Sequence, residues 1–88
     1  MTKTKTDTGS VDIALSKPIN IAGAAVSALR MREPTVADQL AMDKGGGSDA
    51  DKELGLIANL CQLAPQDLHQ LTLRDYKRVQ AAFASFLA

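Results

Sequence analysis

Few residues of this chain could perform covalent chemistry. His69 is the only histidine and Cys61 the only cysteine. General acid–base work by His69 needs a partner group within hydrogen-bond reach. Its neighbours Leu68 and Gln70 supply none, so it reads as solvent-facing or partly packed. Cys61 lies at helical spacing from Leu54 and Ile57 and reads as a buried structural thiol, because free cysteine packs like a small hydrophobe. A reactive thiol needs basic neighbours, and none is near in sequence. A lone cysteine also excludes an intramolecular disulfide and a cysteine zinc site. Asp49, Asp51 and Glu53 crowd the start of a helix, where the helix dipole favours negative charge. The alternating ligands, glycine and closing glutamate of a calcium loop are absent. Gly45-Gly46-Gly47 has neither a preceding strand nor the Gly-Lys-Ser/Thr ending of a phosphate-binding loop. No catalytic, cofactor-binding or metal-ligating residue is assigned, and the chain reads as a non-enzyme.

Binding chemistry is better represented. Arg30 and Arg32 share one face of a strand, and Arg74, Lys77 and Arg78 share one region of a helix by i, i+3 and i+4 spacing. A solvated mixed-charge surface explains both groups. The functional alternative is an acidic partner segment, with phosphate backbone weaker because no aromatics are interleaved. The uncharged stretch AAFASFLA at residues 81–88 is the strongest signal. Core packing accounts for Phe83, Phe86 and Leu87, but not for Ala81, Ala82, Ala84 and Ser85 on the other faces. A helix without charge all round is either deeply buried or pressed against another chain. The candidate partner-binding residues are therefore Phe83, Phe86, Leu87, Arg74, Lys77 and Arg78.

The elements that place these residues turn about residues 29–40, LRMREPTVADQL. Leu29 and Met31 fall on one face of a strand, Arg30 and Arg32 on the other. Pro34 then removes a donor and moves Glu33 out of the helical region, and Thr35 with Asp38 three places on can cap a helix. Upstream, Val11, Ile13 and Leu15 alternate with Asp12, Ala14 and Ser16. Ile19 and Ile21 keep the odd parity past Lys17-Pro18, which predicts one long strand. Pro18 requires an edge strand or an outward-pointing missing donor. Ala22-Gly23-Ala24-Ala25 is the expected turn, and residues 25–32 return. A lone hairpin is marginal in water, so helices must cover its apolar face.

The first helix is expected from Thr35 to about Lys44, with Val36, Leu40, Ala37 and Ala41 as its apolar stripe and the glycine triplet as its end. Ser48 or Asp49 caps a second helix running to about Leu63, whose wide stripe of Leu54, Ile57, Cys61 and Leu56, Leu60, Leu63 suits two neighbours. Gly55 is about 1 kcal/mol less favourable in a helix than alanine, which predicts close approach of another element there. Pro65 starts a short helix carrying Leu68 and Leu71. Thr72 and Asp75 repeat the capping pattern before the last helix, whose stripe is Leu73, Tyr76, Val79 or Gln80, Phe83, Phe86 and Leu87. The expectation is α+β: one small single domain with a flexible tail over residues 1–10, an N-terminal β-hairpin over 11–32, and three to four α-helices over 35–88.

Composition is consistent with this. A chain of 88 residues, 45% hydrophobic, is one globular domain at most. Ten basic residues balance ten acidic ones, which argues against a nucleic-acid module and favours association. No apolar run approaches the roughly 18–20 residues of a membrane span, and no signal-peptide core is present, so the expected location is cytoplasmic.

The order of motifs resembles the tail assembly chaperone family of Mu-like tailed bacteriophages. The resemblance is carried by Leu15-Ser16-Lys17-Pro18-Ile19, then Gly23, then Leu29-Arg30-Met31-Arg32-Glu33-Pro34-Thr35-Val36-Ala37-Asp38. It continues through the LIANLC segment at 56–61, Asp67-Leu68, Leu71, Asp75-Tyr76 and Phe86-Leu87, and covers about residues 11–88. It implies a non-enzymatic role without a cofactor. The implied partner is the tape measure protein of the phage tail, kept soluble until tube protein polymerises around it. The neutral charge and the uncharged end of the last helix leave self-association open, and charge and hydropathy give no nucleic-acid or membrane partner. The resemblance also implies residence in the cytoplasm of a bacterial host and absence from the mature virion; members of that family often make a longer second product by ribosomal frameshifting. Pro18, Arg32, Pro34 and Asp75 match the family as structural positions. Two rival readings remain: a small nucleic-acid-binding regulator using the C-terminal helices, and a permanent structural subunit of the virion.

Overall fold

The computed structural model describes residues 9–88. The flexible tail expected over 1–10 therefore falls, for residues 1–8, outside the described residues. The chain forms β1 (Ser10–Ile21), β2 (Ala24–Arg32), α1 (Val36–Lys44), α2 (Asp49–Leu60), α3 (Pro65–Leu68) and α4 (Leu73–Phe86). This is the α+β arrangement of an antiparallel hairpin followed by four helices.

The hairpin closes with a two-residue turn, because Ala22 and Gly23 both take positive φ (53° and 87°) and Ile21 pairs Ala24. That is the type I′ geometry whose twist matches the flanking strands. It is tighter than the four-residue turn expected, and Ala24 and Ala25 already belong to β2. The odd-parity residues Ile13, Leu15 and Ile19 are buried with Leu29 and Met31. β1 is one continuous strand, but its pairing jumps from Ala14↔Ala28 to Ile19↔Val26. Residues 15–18 thus stand opposite Ser27 alone, in a large bulge that contains Pro18. A bulge is a place where a strand tolerates a residue without a ladder donor.

The apolar face of the hairpin is covered by Leu56, Ile57, Ala58 and Leu60 of α2, Leu68 of α3 and Val79 of α4. α2 is shorter than expected. It ends at Cys61, after which Gln62 takes φ 59° and the Leu63 amide donates to the Ala58 carbonyl at 2.8 Å. This is a Schellman stop, with glutamine where glycine is usual. Two further expectations are corrected. Val36 and Leu40 are 77% and 56% exposed, and α1 instead turns buried Asp38 and half-buried Met42 inward. Leu73 is 80% exposed and lies outside the core stripe of α4. The close approach expected at Gly55 is also absent, since a Cβ there would meet nothing within 4 Å.

Candidate partner-binding surface

Four helices start with an aspartate three residues after the N-cap, and three use it alike. Asp38, Asp51 and Asp67 return a carboxylate oxygen to the N-cap amides of Thr35, Ser48 and Ala64. The fourth, Asp75, is fully buried and turned to the β1 bulge. It accepts from the Ser16 amide at 3.0 Å and the Lys17 amide at 3.3 Å. Those bonds, led by Ser16, hold its carboxyl below the ordinary value. Thr72 still caps α4 by accepting from the Asp75 amide at 3.1 Å. Arg78 completes the clamp, donating to the Ala14 carbonyl at 3.1 Å and lying 3.8 Å from Asp75. On the same edge of β1, the Gln70 side chain pairs with both the amide and the carbonyl of Asn20 at 2.8 Å. The orientation of α4 is thus fixed by polar bonds to β1 as well as by Val79.

The strand arginines are committed elsewhere. Arg30 pairs with Asp12, its cross-strand partner, at 2.9 Å. Arg32 binds Asp38 through two nitrogens, each at 2.8 Å, and Asn59 adds a bond to Asp38 at 3.3 Å. This joins β2, α1 and α2. The paired guanidinium, then the Thr35 amide, hold the Asp38 carboxyl well below the usual carboxylate range.

The six residues nominated from sequence are not one patch. Phe86 is half-buried against the core. Phe83 and Leu87 reach a groove of about 330 Å³ completed by Pro34, Thr35, Val36, Gln39 and Leu56. Leu87 is 66% exposed there, and the lining carries no charge. Arg74, Lys77 and Arg78 are exposed on the first half of α4. Arg74 shares a separate polar cleft with Ser16, Lys17 and Thr72. Sequence reading missed Pro34, Val36 and Leu56 as groove residues. Pro34 reads as the break between strand and helix, and the other two satisfy the pattern of a core stripe.

His69 is exposed. Burial pushes the Cys61 thiol up to about 11, which disfavours the thiolate. Burial, then its hydrogen bond to Glu53, raises the Tyr76 hydroxyl, which donates to Glu53 at 2.5 Å. Among the described residues no three His, Cys, Asp or Glu side chains converge as metal ligands, and no helix is long and apolar enough to cross a membrane.

Compared with known proteins, residues 12–88 match the family model described as phage tail assembly chaperone proteins, E, or 41 or 14. No curated protein and no solved structure matches.

Proposed function

The chain belongs to the phage tail assembly chaperone family, and we propose that it is the non-catalytic partner that binds the tape measure protein and keeps it soluble during tail assembly. The observation carrying this reading is the groove between α1 and α4. Val36, Phe83 and Leu87 line it, Leu56 forms part of its wall, and no lining residue is charged. Val36 on α1, and Phe83 with Leu87 four apart at the end and C-cap of α4, present apolar atoms to it. These side chains make a seat for one amphipathic helix, recognised through its apolar stripe. A long helical client that would otherwise aggregate carries such stripes. The protein then works in the host cytoplasm and leaves before the tail is complete.

The test is co-expression with the tape measure protein, followed by light scattering on a sizing column. The expected result is a soluble co-eluting complex, with the tape measure protein insoluble when made alone. A client equally insoluble with and without this chain overturns the proposal.

A further inference from the structure

We propose that the cleft between the β1 bulge and the start of α4 is a second docking site, which takes an acidic helical segment of a protein partner through Lys17 and Arg74, with Lys77 beside them. The chain is neutral overall, yet Lys17 and Arg74 share one cleft, and Lys77 and Arg78 follow Arg74 one turn on along α4. The bulge causes it. Tying the Ser16 and Lys17 amides to Asp75 brings Lys17 to the first turn of α4, so that Lys17 and Arg74 line one cleft of about 400 Å³ with the hydroxyl residues Ser16 and Thr72.

Asp75, on the same turn of α4, forms its ion pair with Arg78 and with none of the other three cations. Asp75 is fully buried and already satisfied by the two bulge amides, and only Arg78 stands close to it. Among the described residues, Lys17, Arg74 and Lys77 make no ion pair, and no side-chain hydrogen bond engages them. Arg78 is excluded from the docking set because it clamps the Ala14 carbonyl.

Charge complementarity selects carboxylates. Arg74 and Lys77 stand one helical turn apart, which matches glutamates at the same spacing on a facing helix. Phosphate backbone fits less well. The cations are few, and the one aromatic nearby, Tyr76, is held inward by Glu53 instead of offering a stacking face. The site is separate from the apolar groove, so it stands or falls independently of what that groove binds.

The experiment uses the full chain and a soluble alanine-rich helical peptide bearing glutamates at i, i+3 and i+4, titrated calorimetrically at low salt. A DNA duplex of ~20 base pairs is titrated in parallel. The double variant Lys17→Ser/Arg74→Ala is compared with Lys44→Ser/Lys52→Ala, which removes the same charge from α1 and α2. Melting curves establish that all chains are folded. Expected is peptide binding weakened about tenfold by the cleft variant, unchanged in the control variant, and screened by salt. Three results overturn the inference: no peptide binding, equal loss in both variants, or tighter binding of the duplex with the same dependence on Lys17 and Arg74.

Discussion

Asp38 and Asp75 occupy the same place in the same motif, three residues after a capping threonine, and both are buried. Their surroundings differ. Asp75 lies where α4 crosses β1, beside Val79 and above a core of Ile13, Leu15 and Ile19, and its carboxylate replaces the strand partner that the bulge has lost. Asp38 lies on a helix that turns only Met42 towards the core and leaves Val36 and Leu40 in solvent. α4 is held by apolar burial with a polar clamp, whereas α1 is held chiefly by the clamp. The difference shows why one helix belongs to the fold and the other leaves its apolar side free.

The strongest way to break this contrast is to open the two clamps in turn. Asp75→Ala leaves the Ser16 and Lys17 amides without their acceptor and frees the bulge that positions Leu15 and Ile19. The expected fall in melting temperature is on the order of 10 °C, with cooperative loss of the whole domain. Arg32→Ala acts at the other end. Asp38 keeps Thr35 and Asn59, and Arg32 is partly exposed, so the loss is about 1 kcal/mol. Amide exchange is expected to accelerate in α1 alone. Global unfolding in Arg32→Ala as large as in Asp75→Ala would erase the distinction.

Acid tests both clamps together. Each carboxyl is held below its ordinary value of 3.8 in the folded chain, Asp38 by Arg32 and then Thr35, Asp75 by Ser16. A group whose folded value is depressed stabilises in full above the unfolded value, and that stabilisation is lost as pH falls towards the folded value. Stability should be level from about pH 7 to 5 and decline below about pH 4. The double variant Asp38→Asn/Asp75→Asn should start lower at neutral pH and decline less, as followed by urea unfolding at each pH.

What the sequence made legible follows from this physics. Odd parity from Val11 to Ile21 marked the hairpin face, and threonine or serine with aspartate three on marked the helix starts. Both signals are local. The bulge left only a faint trace: a lysine at odd position 17, followed by Pro18. Nothing in Thr72–Asp75 distinguishes an aspartate that returns to its cap from one that reaches 59 residues back to Ser16. α1 misled for a related reason. Val36 and Leu40 form as good a stripe as Asp38 and Met42, and the bond from Arg32 decides which one turns inward. Of the candidate site, Phe83 and Leu87 were readable from the uncharged end of α4. The opposite wall was not, because it depends on that rotation of α1.

Gly55 sharpens the comparison from the α2 side. A Cβ there meets nothing, so Gly55→Ala should raise stability by about 0.5–1 kcal/mol through helix propensity. Denaturant midpoints read this directly. Destabilisation would mean that α1 packs more closely on α2 than its exposed stripe indicates.

The smallest effect on folding is expected where the effect on partners is largest. Val36→Ser and Leu40→Ser remove apolar atoms that are already in water, so each should change stability by no more than about 0.5 kcal/mol. If these residues were core, each would cost several times that, as truncation of a buried aliphatic does. Val36→Ser takes the apolar α1 residue out of the groove lining while leaving Phe83 and Leu87 on the other wall, and Leu40→Ser strips the same exposed face of α1 one turn on. A chain that melts as wild type and no longer keeps the tape measure protein in solution would separate the two roles of α1. A chain that melts early would place Val36 and Leu40 in the core after all. A chain that melts normally and still co-elutes with its client would move the binding surface off α1.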